Sequence, residues 1–361
     1  MRISFILPFY SSRPIGGLKV AYEYANQLAS RGHLVSIIHP RFMRNVDSSR
    51  SPLRKFQAAA INARNALTPR SGLQWQPLEK GVRILHVSEP TASNVPDADV
   101  VFATAWQTAE YVVAYPKQKG RKFYIIQDFY NWIAPKDVLE ETWNWPLRKI
   151  TISNWLYDKV RASGCPAAEV RNIPIGINFD QFQLLGNVSN RPKRVSMLYS
   201  ASKSKGSDDG LKALRKCRER YPDLDVVLFG PSWRFRPSGL PEWADYRGVL
   251  PQRQLTQLLN ESRIFVCSSI AEGFALPPAE AMACGCAVVS TDCGGNREYA
   301  CHDVNALLSQ AGDAEALAGN IDRLLSDEAL RVEIAGRGHR MIQDFTWERS
   351  TNHLEEFLNA S

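Results

Sequence analysis

Between Arg263 and Gly295 the chain reads RIFVCSSIAEGFALPPAEAMACGCAVVSTDCGG, and this stretch narrows the choice of folds more than any other. Arg263–Cys267 is continuous, apolar and partly β-branched, the pattern of a short buried strand. A polar loop carrying Glu272 and Gly273 follows, and Pro277-Pro278 then opens a helix. Proline suits a first helical turn because the N–H it lacks would have no intrahelical partner there. Glu280 is expected in that first turn. A second β-branched run, Ala287–Thr291, ends at Gly294-Gly295. Strand, loop, helix, strand and loop make one βαβ unit, with glycines and carboxylates at the carboxyl ends of the strands. Open α/β sheets bind ligands at that edge, where a helix N-terminus attracts phosphate. Carboxylates accept hydrogen bonds, so Glu272 and Glu280 suit sugar hydroxyls and are poor direct partners for phosphate. Taken alone, the pair fits a capped helix with two solvated glutamates equally well.

The whole string is more specific than the pair. EGFALPPAEAMACGCAVV, followed by TDCGGNRE, resembles the donor-site signature of the retaining glycosyltransferase family 4, the glycosyl transferases group 1 enzymes of GT-B fold. The resemblance covers most of the chain and is strongest from about residue 245 to 350. It implies an α/β protein of two Rossmann-like domains facing across a cleft, with a C-terminal helix crossing back to the first. The implied domains are an acceptor domain at 1–190, a nucleotide-sugar donor domain at 191–340 and the returning helix at 341–361.

Carried over by position, the resemblance has Glu280 hold the ribose hydroxyls and Glu272 a hydroxyl of the donor sugar. The amides of Gly273, Phe274, Ala275 and Leu276 would lie along sugar and phosphate. Lys205, in SKSKG, matches the lysine that neutralises the diphosphate. The family's usual arginine five residues earlier is Ser200 here, a departure for which Lys203 is the nearest compensation. Gly16-Gly17, ahead of an amphipathic helix, resembles the family's amino-terminal glycine loop. FYIIQDF places Gln127-Asp128 where many members carry a histidine that reaches the donor sugar, and Asp128 joins the site on that basis. The catalytic set is then Glu272, Lys205 and Asp128. The implied reaction transfers a sugar, with retention, from a nucleoside-diphosphate donor to a glycan or lipid-linked acceptor in cell-surface polysaccharide synthesis. A protein cation at the leaving group requires no divalent metal, and no cofactor beyond the nucleotide sugar is expected.

The rest of the chain keeps the same alternation. Strands are expected at Arg2–Pro8, Leu34–His39, Arg83–Val87, Val100–Thr104, Lys122–Gln127 and Lys149–Ser153. The spacing of Leu18, Ala21, Tyr22, Ala25, Leu28 and Ala29 predicts a helix ended by Gly32. Leu185–Lys193 is polar and reads as the interdomain linker. A second set follows: strand 194–200, helix 208–220, strand 225–229, helix 252–261, a strand-like run at 304–308, helices near 313–326 and 327–337, and the amphipathic tail TWERSTNHLEEFL. Asp97-x-Asp99 and Asp223-x-Asp225 match the metal-binding spacing of another glycosyltransferase fold, but both precede an apolar strand, at the wrong end of the sheet for that role.

Charge divides the chain. Lys and Arg outnumber Asp and Glu by 23 to 14 over residues 1–190 and fall short, 21 to 23, over 191–361. Residues 41–70 concentrate the excess, with seven basic residues against the single acid Asp47. Leu53, Phe56, Ala60 and Ala63 interleave there at near-helical spacing. The segment is either a solvated insertion or a basic amphipathic helix for anionic lipid or a phosphorylated acceptor. Trp106, Phe129, Tyr130 and Trp132 are open to two readings, stacking on an acceptor sugar or core packing. Seven cysteines show no disulfide framework, and Cys284, Cys286, Cys293 and Cys301-His302 lack the second close pair of a zinc ribbon; buried thiols are the plainer reading. No apolar run approaches the ~18 residues of a membrane helix. MRISFILPFY reads as a first strand rather than a leader, which gives a cytoplasmic expectation with peripheral membrane contact. No G-x-G-x-x-G, P-loop or H-E-x-x-H is present, and no motif supports nucleic-acid binding. Two other readings stay open: a different GT-B nucleotide-sugar enzyme, and an inactive nucleotide-sugar-binding subunit.

Overall fold

A computed structural model describes residues 1–44, 75–129, 136–231 and 236–360. The chain divides into two units, Met1–Ile175 with Trp347–Ser361, and Gly176–Thr346.

The first unit is built on β1 (Arg2–Ile6), β2 (Leu34–Pro40), β3 (Val82–Val87), β4 (Val100–Ala103), β5 (Arg121–Ile126), β6 (Arg148–Thr151) and β7 (Val170–Asn172), in sheet order β3-β2-β1-β4-β5-β6-β7. Every pairing is parallel; β1 runs beside β2 from Arg2↔Leu34 to Ile6↔Ile38 and beside β4 from Ile3↔Val100. A parallel sheet is covered on both faces, which is why Val100, Val101 and Phe102 form an unbroken apolar run and Ile3, Phe5 and Ile6 of β1 are likewise almost fully buried. Helix α1 (Gly16–Ser30) buries Leu18, Ala21, Tyr22, Ala25 and Leu28 of the stripe its spacing predicts, leaves Ala29 half-buried, and buries Val20, Glu23 and Tyr24 besides. The chain leaves α1 through Gly32 at φ 85°. Three further helices follow, α2 (Trp106–Val113), α3 (Lys136–Trp143) and α4 (Asn154–Ala162). The first two escape the sequence reading: each has only eight residues, too short for a clear apolar period.

The second unit repeats the plan. Strands β8 (Arg194–Leu198), β9 (Asp225–Phe229), β10 (Ala244–Tyr246), β11 (Ile264–Cys267), β12 (Ala287–Asp292) and β13 (Leu307–Gln310) form a parallel sheet in the order β10-β9-β8-β11-β12-β13. Helices α5 (Ser207–Arg220), α6 (Gln252–Glu261), α7 (Leu276–Ala283), α8 (Ala314–Ser326) and α9 (Glu328–Ile342) connect and cover it. Its core gathers Val195, Met197, Leu214, Leu228, Val266, Val289, Leu317 and Ile321. The last strand lies later than the expected 304–308, because Asp303 and Val304 turn and the ladder with β12 begins at Leu307.

Helix α10 (Trp347–Asn359) belongs to the first unit. Glu355 pairs with Arg31 and with His33 at 2.8 Å, Trp347 packs edge-on against Tyr24, and Phe357 against Phe123.

Leu185–Lys193 is no free tether. Arg191 is 5% exposed, and its guanidinium donates to the carbonyls of Leu259, Ser262 and Cys284. Leu185 N donates to Asn260. The polar composition read as a linker reflects a segment stitched to helix ends of the second unit, whose carbonyls need donors. The boundary therefore falls earlier, at Ile175/Gly176, and the later one at Thr346/Trp347.

In both sheets the order reverses between the first and fourth strand, β1 and β4 in one, β8 and β11 in the other. Such reversals open a crevice at the carboxyl ends of the two central strands. The four aspartates of the Asp-x-Asp spacings lie at the opposite ends, pairing with Arg2, Lys119, Lys193 and Arg194.

Candidate active site

At the switch point of the second sheet, the loop after β8 and the loop after β11 are laced together. Ile270 N donates to Ser204 O at 2.7 Å, and Ser268 Oγ to Lys205 O at 3.0 Å. Gly206 makes this approach possible. It sits at φ 55°, and a Cβ there would fall 2.0 Å from Ser268 O. A larger residue would meet both the left-handed backbone and the neighbouring carbonyl. The lacing brings Lys205 Nζ to 2.5 Å from Glu272 Oε1, with the two side chains 27% and 13% exposed. Ser269 Oγ donates to the same oxygen at 2.7 Å. Leu198, Cys267, Ser268 and Pro277 complete a small recess around the pair.

The backbone from Glu272 to Leu276 is fixed from several sides. Glu272 N donates to Cys293 O at 2.9 Å, and Gly295 N to Glu272 O at 3.0 Å. The glycine pair lies so close that a Cβ on Gly295 would be 2.3 Å from the carbonyl carbon of Gly273. Phe274 is buried against Tyr299 and Phe345, and Tyr299 donates to Ala275 O at 2.6 Å. Ala275 sits at φ 63°, ψ 69°, which costs a residue with a Cβ roughly 1–2 kcal/mol. The surrounding bonds hold that conformation, and it turns the chain sharply into α7. Phe274 thus acts through packing.

Helix α7 begins at Leu276, a residue ahead of the prolines, so Glu280 falls just past the first turn rather than within it. It is 9% exposed. Lys203 is exposed, in the single 3-10 turn before α5. Ser200, at the usual arginine position, accepts from Ser202 N, and its own N–H donates to Ser207 Oγ. Beyond β12, Arg297 grips Asp292 through two bonds of 2.8 Å and holds that carboxyl below its usual range. Cys267 and Cys293 are buried neighbours, and their interaction draws the Cys267 thiol below its ordinary range and pushes that of Cys293 up.

In the first unit, Gly16 and Gly17 are the opening residues of α1, and the residue before them, Ile15, supplies no side-chain cap. Gln127 follows β5. Its Nε2 donates to Thr104 O at 3.3 Å, while its Oε1 is buried without a partner among the described residues. A Cβ on Gly17 would lie 3.6 Å from that oxygen. Asp128 accepts from Phe129 N at 2.7 Å. Gln127, which was not among the candidate site residues, is brought against the glycine loop. Ser269 was missed as well, because a serine in a polar loop carries no spacing signal.

Trp106 is 4% exposed, and Phe129 stacks obliquely on Trp143 at 5.6 Å; Tyr130 and Trp132 lie outside the described residues. Of the basic stretch 41–70, only 41–44 is described, with Arg44 paired to Glu89; Asp47, Leu53, Phe56, Ala60, Ala63 and the remaining basic residues lie outside it. Six cysteines are buried and Cys301 is exposed. Among the described residues, no group of three or more His, Cys, Asp or Glu is placed to hold a metal, and no helix is long and apolar enough to cross a membrane.

Residues 186–341 match the family model described as glycosyl transferases group 1. The O-antigen biosynthesis protein RfbC of Myxococcus xanthus is 27% identical over 284 residues, 77% of this chain and 22% of that protein. The amylovoran biosynthesis glycosyltransferase AmsK of Erwinia amylovora is 29% identical over 228 residues, 58% of this chain and 55% of that one. The chain thus spans between about a fifth and about half of these relatives. Among solved structures, Anabaena HepE in complex with UDP and glucose superposes over all of both chains with a TM-score of 0.75 at 16% identity. The likeness shows the fold: α/β, with two Rossmann-like units, of the GT-B class.

Proposed function

We propose that this chain is a glycosyltransferase that moves a sugar from a nucleoside-diphosphate donor to a glycan or lipid-linked acceptor in cell-surface polysaccharide synthesis, with retention at the anomeric carbon. The observation that carries the reading is the Lys205–Glu272 pair at the β8/β11 switch point. A cation and a hydroxyl acceptor stand side by side, beside the strained loop that leads to Glu280. The relatives in O-antigen and amylovoran synthesis support the polysaccharide assignment, and a fold neighbour holding UDP and glucose supports the donor class.

The roles follow from what the leaving group needs. As the bond between C1 and the diphosphate oxygen breaks, negative charge grows on the diphosphate. A fixed cation favours that state over the ground state. Lys205 supplies the charge, with Lys203 in second place, so the reaction needs no divalent metal. Glu280 accepts from the ribose hydroxyls, and Glu272 from a hydroxyl of the sugar. The amides from Gly273 to Leu276 line sugar and phosphate. The acceptor oxygen forms the new bond to C1 on the face the diphosphate leaves, and its proton passes to the departing diphosphate. No nucleophilic side chain is then required. Gly16, Gly17, Gln127 and Asp128 form the ligand edge of the first unit.

The test is a panel of nucleotide sugars, each assayed for release of the nucleoside diphosphate, with and without acceptor extract and in the presence of EDTA. Release from at least one donor, undiminished by EDTA, is the expected result. A strict requirement for magnesium or manganese refutes the role given to Lys205. Binding of donor with no turnover of any kind makes the chain an inactive binder.

A further inference from the structure

We infer that Ser269 is the positioning residue for the Glu272 carboxylate, holding it ready for a sugar hydroxyl once Lys205 has turned to the diphosphate. The inference rests on the proposed donor chemistry and assigns a role to a residue outside the set read from the sequence. Glu272 Oε1 takes both nearby donors, Lys205 Nζ at 2.5 Å and Ser269 Oγ at 2.7 Å. Its Oε2 has no hydrogen-bond partner among the described residues. A carboxylate offers about four lone-pair sites, so this arrangement leaves one oxygen open to an incoming hydroxyl.

The two donors behave differently when a ligand arrives. A diphosphate competes for the lysine, which is a mobile point charge on a flexible stem. It draws much less on a hydroxyl that already donates to a carboxylate. Ser269 is only 4% exposed, and its one hydroxyl proton is given to Glu272. Its main chain is held too, since its carbonyl accepts from Thr291 Oγ1 on β12, itself 1% exposed. With the lysine withdrawn, Ser269 is the remaining fixed donor to Oε1 and keeps Oε2 turned outward. Without it, the carboxylate is free to rotate, and Oε2 no longer stays turned to the sugar hydroxyl.

The experiment compares Ser269→Ala, Ser269→Thr and Ser269→Ala in a Glu272→Gln background. Affinities for plain UDP, GDP and ADP are measured by calorimetry, and turnover of the matching nucleotide sugars by diphosphate release. A diphosphate without sugar does not reach Glu272, so Ser269→Ala should bind it within about twofold of wild type. The same variant should lose about tenfold or more in turnover, the size expected for one hydrogen bond to a charged group. Ser269→Thr should restore most of the loss, and Ser269→Ala should add little once Glu272 is already glutamine. Wild-type turnover in Ser269→Ala, parallel losses of diphosphate binding and turnover, or an undiminished effect in the Glu272→Gln background each overturn the positioning role while leaving the donor chemistry standing. Failure of the wild-type protein to bind any of the diphosphates or turn over any donor overturns the functional reading, and this inference with it.

Discussion

Replacing Lys205 with alanine removes the cation that lies 2.5 Å from Glu272. Two consequences separate by the assay that reads them. In the resting protein Glu272 keeps the Ser269 hydroxyl but is only 13% exposed, so a largely buried carboxylate that loses its cation should destabilise the fold by about 1–3 kcal/mol. At the leaving group the same lysine meets charge that grows during the reaction. A hydrogen bond to a charged group contributes roughly 1.5–3 kcal/mol, which corresponds to about ten- to a hundredfold in rate when it is made mainly in the transition state. Lys205→Ala should therefore show a drop of a few degrees in melting temperature and, separately, a large drop in kcat at saturating donor. Lys203→Ala, at an exposed position with its charge screened by solvent, should stay within about twofold of wild type. Ser200→Arg should be tolerated, since the position faces the same loop. A larger loss from Lys203 than from Lys205 refutes the assignment and moves the diphosphate to Lys203. An unchanged kcat in both variants refutes the charge argument altogether.

Glu280→Ala should weaken binding of the plain nucleoside diphosphate, whereas Glu272→Ala should chiefly slow transfer; titrating the diphosphate against both variants checks the division between ribose and sugar, and equal losses would erase it. Gly295→Ala forces a methyl to within 2.3 Å of the Gly273 carbonyl carbon, so a loss of about 1–3 kcal/mol is expected in denaturant unfolding, with donor affinity falling alongside. If the basic stretch 41–70 meets anionic lipid, replacing Arg50, Arg54 and Lys55 should reduce vesicle binding at low salt and leave donor hydrolysis intact; unchanged vesicle affinity returns the stretch to a solvated insertion.

The parts of this architecture that the sequence made legible are those held by local chemistry. β-branched runs, glycine at turns and proline at a helix start located β8, β9, β11, β12 and α7 to within a residue or two. Glu272 was singled out by the resemblance of the string around it, since spacing alone fits a capped helix with solvated glutamates equally well. Long-range partners were not legible. Nothing in SASKSKG announces that Ser204 and Lys205 will bond to the loop after β11, since those bonds depend on which strands lie side by side. Arg191 misled for a related reason: a charged residue in a polar run looks solvated, and only the folded chain shows the carbonyls it serves. Asp128 entered through the resemblance at FYIIQDF, whereas the buried oxygen of Gln127, with no donor among the described residues, is visible only in three dimensions.

The path of the chain has a consequence for its synthesis. The first unit needs α10, because Trp347, Leu354, Phe357 and Leu358 are buried and Phe357 meets Phe123 from β5. All of Gly176–Thr346 lies between that helix and the rest of its unit. The inserted unit closes on itself, with Ile177 N donating to Phe345 O at 2.8 Å. As the polypeptide emerges from the ribosome, the unit begun first is thus completed only after the second. The nascent first sheet waits with part of one face uncovered until Gly176–Thr346 has been made and α10 follows it.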